Sequence, residues 1–183
     1  MNPSTFLSIL FTISFIFISH VPLSISTIDF NFYQIVCIQY GIQVSPNIKG
    51  CLEALESDLQ IPQAKNYAEL SILILDQAIK NTTIAQLSLQ NLMKSDPSPA
   101  IKECATEDYD EIIIAFENSL ANVNHDPQIA INYLQKDLGY AERKCSQALK
   151  DDPKPYFEVN ILISHVHFYA AVTELSLNHL KGQ

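Results

Sequence analysis

The four cysteines of this chain restrict its fold more than any other feature. Cys37 and Cys51 are equidistant from Val44, which precedes the turn signal Ser45-Pro46-Asn47. Cys104 and Cys145 are equidistant from the Asn124–His125 junction, where Asn122-Val-Asn-His-Asp-Pro127 interrupts two helical patterns. In an antiparallel helix pair, residues equidistant from the turn sit side by side. Four cysteines allow three pairings, and this geometry favours Cys37–Cys51 and Cys104–Cys145. With no C-x-x-C, the pattern reads as disulfides in an oxidising compartment rather than as zinc ligands or nucleophiles.

The N-terminus fits that compartment. The apolar run over residues 6–18 has the length of a signal-peptide core and is too short to span a bilayer. Ser24-Ile25-Ser26 offers a small-x-small cleavage site, so residues 1–26 are expected to be a signal peptide and residues 27–183 the mature, secreted domain. Residues 1–26 contain no Asp, Glu, Lys or Arg, so the mature chain keeps the formal charge of −9. That charge repels nucleic acid and anionic membrane surfaces, and neither is expected as a partner. Asn81-Thr82-Thr83 is the N-glycosylation sequon, because proline excludes Asn2-Pro3-Ser4.

Four glycines and few alternating apolar runs argue for helices. Residues 27–60 read as an N-terminal helical hairpin, with helices over 29–43 and 46–58. Asp29 is the expected N-cap of the first helix, and Ser45 followed by Pro46 that of the second. Over 64–183 four longer stripes recur at helical spacing. The first is Ala68, Ile72, Leu75, Ile79, Gln86, Leu89 and Met93. The second includes Ile101, Ala105, Ile112 and Phe116, the third Ala130, Leu134, Leu138 and Cys145, and the fourth Val159, Val166, Tyr169 and Val172. Breaks fall at Ser95-Asp-Pro-Ser-Pro99, Asn124-His-Asp-Pro127 and Asp151-Asp-Pro-Lys-Pro155, each placing Asp or Ser directly before Pro, the start signal for the next helix. Helices joined by short loops alternate in direction, so the expected fold is all-α, an up-and-down four-helix bundle with an N-terminal hairpin and two disulfides.

Catalytic motifs are missing. The chain has no Gly-rich phosphate loop, no G-x-S-x-G and no H-E-x-x-H. His165 and His167 are two apart on a helical pattern and point to different faces. His125 lies in a turn and His179 near a frayed C-terminus. Glu107, Asp108, Asp110 and Glu111 read as a solvated acidic face, since a metal site in a bundle needs Glu-x-x-His pairs that do not occur here. No catalytic residue, metal or cofactor is expected, and the chain is not expected to be an enzyme.

A signal peptide, an early cysteine pair on a hairpin and a later pair on a four-helix bundle resemble the plant invertase and pectin methylesterase inhibitor family. Ala100-Ile-Lys-Glu-Cys104-Ala-Thr-Glu-Asp-Tyr109 is similar to the family's third-cysteine motif. Asp126-Pro127, with Cys145 following 18 residues later, resembles its third-helix segment. The stretch Ala170-Ala-Val-Thr-Glu-Leu-Ser-Leu-Asn178 resembles its closing helix. The resemblance implies a non-catalytic protein of the cell wall or vacuole that docks over the substrate cleft of a carbohydrate-active enzyme. Pro127-Gln128-Ile129 stands where the family's invertase inhibitors often carry Pro-Lys-Phe. The missing lysine turns the expectation toward pectin methylesterase, with invertase as the alternative target. Glu107, Asp110, Glu117, Gln128 and Gln135 are the candidate partner-binding residues. A ligand-binding or purely structural secreted bundle is the expectation from another class, with an apolar cavity lined by the stripes as its mark.

Overall fold

The computed structural model of the chain describes residues 30–181; the signal-peptide segment and Asp29 itself lie outside the described residues. Among those described, six helices follow one another and no strand occurs. They are α1 (Phe32–Gln43), α2 (Ile48–Glu56), α3 (Tyr67–Ser95), α4 (99–122), α5 (127–151) and α6 (Phe157–Asn178), with a 3-10 turn, Ile61–Gln63, before α3. The expected all-α architecture is therefore observed: a hairpin, α1–α2, on an up-and-down bundle, α3–α6.

Local chemistry sets most of the helix starts. Ser98 accepts from the Ile101 N–H, with Pro99 as the first helical residue of α4. The Asp126 carboxylate accepts from the N–H groups of Gln128 and Ile129, with Pro127 opening α5. Both follow the rule that a short polar cap satisfies orphan donors while proline needs none. Three expected starts are corrected. Asn31, not Asp29, is the N-cap of α1, with Gln34 Oε1 accepting from its N–H at 3.0 Å. Asn47, not Ser45, caps α2, its Oδ1 accepting from the Gly50 N–H at 3.0 Å. The α6 helix does not begin at Pro153: Asp152 instead closes a turn onto the Lys154 N–H, and Pro155 keeps its predecessor out of the helical region, so the helix waits until Phe157.

Each neighbouring pair of bundle helices is tied by a cross-link away from the loops. Gln86 on α3 donates to Asp110 on α4 at 2.6 Å. The Cys104–Cys145 disulfide joins α4 to α5 with Cα atoms 4.8 Å apart. Gln135 on α5 donates to Glu174 on α6 at 2.6 Å. The ring closes from α6 to α3 through Asn81 donating to the Tyr169 hydroxyl at 2.7 Å and through Ser71 with Ser176. These bonds pin the heights of helices whose apolar stripes alone would allow sliding.

Tyr109, Phe116, Leu70, Ile74, Ile112, Ile131 and Leu138 are fully buried and fill the interior between the helices. The stripes expected on α4, α5 and α6 are largely the buried ones. On α3 the expected stripe is corrected in part: Leu75, Gln86 and Leu89 are buried as expected. Ala68, Ile72, Ile79 and Met93 are half-buried flanks, while the core line runs through Leu70, Ile74, Ala78 and Ala85. The reason is visible in Ser71-Ile-Leu-Ile-Leu75, which is apolar all round and carries no phase. The choice falls to tertiary packing, because α3 meets α4, α6 and the hairpin.

The hairpin is stapled by Cys37–Cys51 and by Tyr33 donating to Glu56 at 2.8 Å. At Gly41 the two helices approach so closely that a Cβ there would collide with the Ile48 side chain. Aromatic contacts seat the hairpin on the bundle: Tyr40 meets Phe168 edge-on at 5.4 Å, and Phe32 meets Tyr67 at 4.8 Å. His179, expected in a frayed end, is instead held: its ring stacks on Tyr67 at 3.9 Å and its Nε2 lies 3.0 Å from Gln39 Oε1. The stacking contact and α1 anchor the last turn, a partnership invisible to local sequence.

Candidate functional site

The α4–α5 seam departs most from regular helix geometry. Each of its helices widens for one turn, at Cys104–Asp108 and at Tyr133–Leu138. In α4 the Tyr109 N–H reaches the Cys104 carbonyl, and in α5 the Gly139 N–H reaches that of Leu134, five residues back instead of four. Such π-turns cost regular hydrogen bonding and often mark functional segments.

The first of them carries a buried carboxylate. Asp108, expected on a solvated acidic face, is fully buried, and this corrects the sequence reading. Its carboxylate, Cys104 Sγ and Cys145 Sγ lie within 4.8 Å of one another. With both sulfurs committed to the disulfide, these atoms are not a metal-ligand set. Lys144 Nζ stands 3.0 Å from Asp108 Oδ1 and 3.9 Å from Glu103. At 3.0 Å the ammonium offsets the charge of the buried carboxylate. Burial pushes the Asp108 carboxyl above its ordinary value, with Glu103 and Glu111 adding to the rise and Lys144 opposing it. Lys144 in turn is held above its ordinary value by Asp108. The residue before the fourth cysteine thus neutralises the acid beside the bridge.

On the outer side of the same seam lies a groove of about 460 Å³. Glu111, Ile114 and Asn118 line it from α4, and Tyr133, Asp137 and Tyr140 from α5, over the buried Ala115. A second groove, of about 340 Å³, follows the α3–α6 seam and is lined by Asn81, His165 and Tyr169 among others. The sequon residue Asn81 is half-buried there, within α3, its amide nitrogen turned toward α6 and occupied by the Tyr169 hydroxyl.

The five candidate docking residues are all exposed, and the structure does not gather them on one face. Asp110 is drawn toward α3 by Gln86, and Gln135 toward α6 by Glu174, on opposite flanks of the seam. Gln128 sits in the first turn of α5, its amide 3.4 Å from Asn132. Glu107 lies in the widened turn of α4, and Glu117 further along the same helix. What the seam does bring together is Glu111 with Asp137 and the two tyrosines, none of which was singled out as a docking residue. The symmetry that pairs the cysteines also holds here: Glu111 mirrors Leu138, beside Asp137, about the Asn124–His125 junction.

Compared with known proteins, the chain matches no family model and no curated protein sequence. Two further properties bear on its setting. Both cysteine pairs are oxidised, and among the described residues no helix is long and apolar enough to cross a membrane.

A titrating contact joins α5 to α6. His167 Nδ1 stands 3.5 Å from Glu142 Oε1, and that carboxylate holds the imidazole above its ordinary pKa against the opposing pull of burial. A histidine raised on folding lends stability that is complete below its unfolded value, near 6.5, and is lost as pH climbs through the folded value. Asp108 acts in the same sense: raised above 3.8, it takes up its proton first in the folded state, so stability grows as pH falls through its folded value. His179, lowered by burial, acts oppositely below 6.5. Substitution separates these effects. His167→Ala is expected to lose stability at pH 5 and nearly none at pH 8. Solvent around the exposed imidazole limits the difference to about 1 kcal/mol, or roughly 2–4 °C in Tm. Equal Tm differences at the two pH values would refute this account.

Proposed function

We propose that the protein is a secreted, non-catalytic inhibitor that docks over the substrate cleft of a plant carbohydrate-active enzyme, pectin methylesterase in the first place. The observation that carries this reading is the cysteine framework. One disulfide staples a separate N-terminal hairpin, and the other braces the second and third helices of a four-helix bundle, the arrangement of the inhibitor family that the sequence resembles. A bundle braced in this way presents a rigid face and loses little conformational entropy on binding. The charge of −9 favours fast association with a basic enzyme, at a rate that falls as salt rises. The filled interior supports this reading over a bundle built around a ligand cavity. The same reading places the protein in the apoplast or cell wall.

The test is methanol release from methyl-esterified pectin by plant pectin methylesterases, with the oxidised mature protein added at mildly acidic pH. Inhibition at micromolar protein is expected. Unchanged rates would remove pectin methylesterase as the target, and inhibition of sucrose cleavage in a parallel assay would transfer the role to invertase.

A further inference from the structure

The α4–α5 groove holds two carboxylates that make no ion pair among the described residues, Glu111 and Asp137. Tyr133 and Tyr140 line the same groove. Its floor is apolar, with Ala115 buried and Ile114 half-exposed. Lys144 pairs with Asp108 and stands 5.9 Å from the centroid of the Tyr140 ring, at the edge of the groove. Arg143 reaches back over Gly139. Like charges sharing a cleft of a chain with net charge −9 repel one another unless a cation joins them. Aromatic faces add attraction for that cation, and for a planar guanidinium above all, which also matches a carboxylate in fork geometry. An apolar floor suits the alkyl stem of such a side chain.

We infer that the Glu111–Asp137–Tyr133–Tyr140 groove is a cation subsite that takes an arginine side chain presented by the partner protein. The identity of that partner rests on the docking function proposed above; recognition of the guanidinium does not. The Cys104–Cys145 bridge holds the two walls of the groove at fixed height, so the subsite is formed before the partner arrives. It also gives the −9 charge a point of contact, converting long-range attraction into a specific pairing.

The experiment titrates the oxidised mature protein with a short arginine peptide, acetyl-Gly-Arg-Gly-amide, while following the ring signals of Tyr133 and Tyr140 by NMR. The same peptide with citrulline in place of arginine serves as the neutral control. Both rings are expected to shift with the arginine peptide and not with the citrulline peptide, with the affinity falling as salt is raised. In the double variant E111Q/D137N the affinity is expected to fall about tenfold or more, as befits the loss of charge-assisted bonds. Both side chains are exposed, so the variant should fold, which its melting curve checks. Absence of ring shifts up to tens of millimolar peptide, or an equal response to citrulline, overturns the inference. A response to a neutral sugar that exceeds the response to arginine would also overturn it and make the groove a carbohydrate site. The enzyme assay separates the two levels. If the native protein inhibits and E111Q/D137N inhibits equally, the groove lies outside the docking face and the inference fails while the inhibitor reading stands. If arginine binds but no enzyme is inhibited, the subsite stands and the inhibitor reading fails.

Discussion

Replacing Phe116 by alanine is expected to destabilise the protein by about 3–5 kcal/mol, through lost transfer free energy and the cavity left behind. For a domain of this size that is a fall of roughly 10 °C in Tm. Phe116 is fully buried on α4, the helix that touches both α3 and α5, so the void opens where three helices meet. Ile114 on the same helix is the natural control. Its side chain is 52% exposed, and Ile114→Ala should change stability by only about 0.5 kcal/mol. The two substitutions truncate apolar side chains on the same helix, one fully buried and one half-exposed. Urea or thermal melts followed by far-UV circular dichroism would measure both. A loss below about 1 kcal/mol for Phe116→Ala would mean that the core relaxes around the gap and that packing on α4 is looser than its burial implies.

The features that could be read from sequence are those governed by local chemistry or by simple symmetry. Asp126-Pro127 and Ser98-Pro99 announce helix starts because cap and proline act within one turn. The disulfide pairing was legible because antiparallel helices place equidistant residues together, whatever else surrounds them. The phase of α3 was legible only in part, since Ser71-Ile-Leu-Ile-Leu75 offers an apolar side chain to nearly every direction. Asp108 was hidden for a different reason. It stands in the acidic run 107–111, and only a lysine 36 residues later makes its burial tolerable. The widened turns and the groove belong to the same category: they depend on how α4 and α5 meet, and neither helix announces them alone. Glu111 and Asp137 could have been found by extending the cysteine symmetry to the neighbouring positions, whereas Asp110 and Gln135 were drawn to other helices by partners on α3 and α6.

The two disulfides are expected to differ in consequence as well as in size. In the chain-entropy view, closing a longer loop removes more freedom from the unfolded chain. Separations of 14 and 41 residues correspond to roughly 3 and 4 kcal/mol. The variant C104A/C145A should therefore show the larger fall in Tm, and alanine is the appropriate replacement because both sulfurs are buried. It should also weaken arginine-peptide binding, since α4 and α5 then keep the Lys144–Asp108 pair as their polar tie near that height. In C37A/C51A the damage should stay local. Hydrogen exchange should quicken in α1 and α2, while contacts such as Tyr40 on Phe168 and Gln77 on the Ala54 carbonyl still hold the hairpin to the bundle. Reduction of both bridges should lower Tm and yet leave helical circular dichroism at room temperature, because the interior around Tyr109, Phe116 and Leu138 does not depend on sulfur for its packing. Complete loss of that signal on reduction would show that the bundle lacks a self-sufficient core, and the distinction between a hairpin staple and a bundle brace would fall with it.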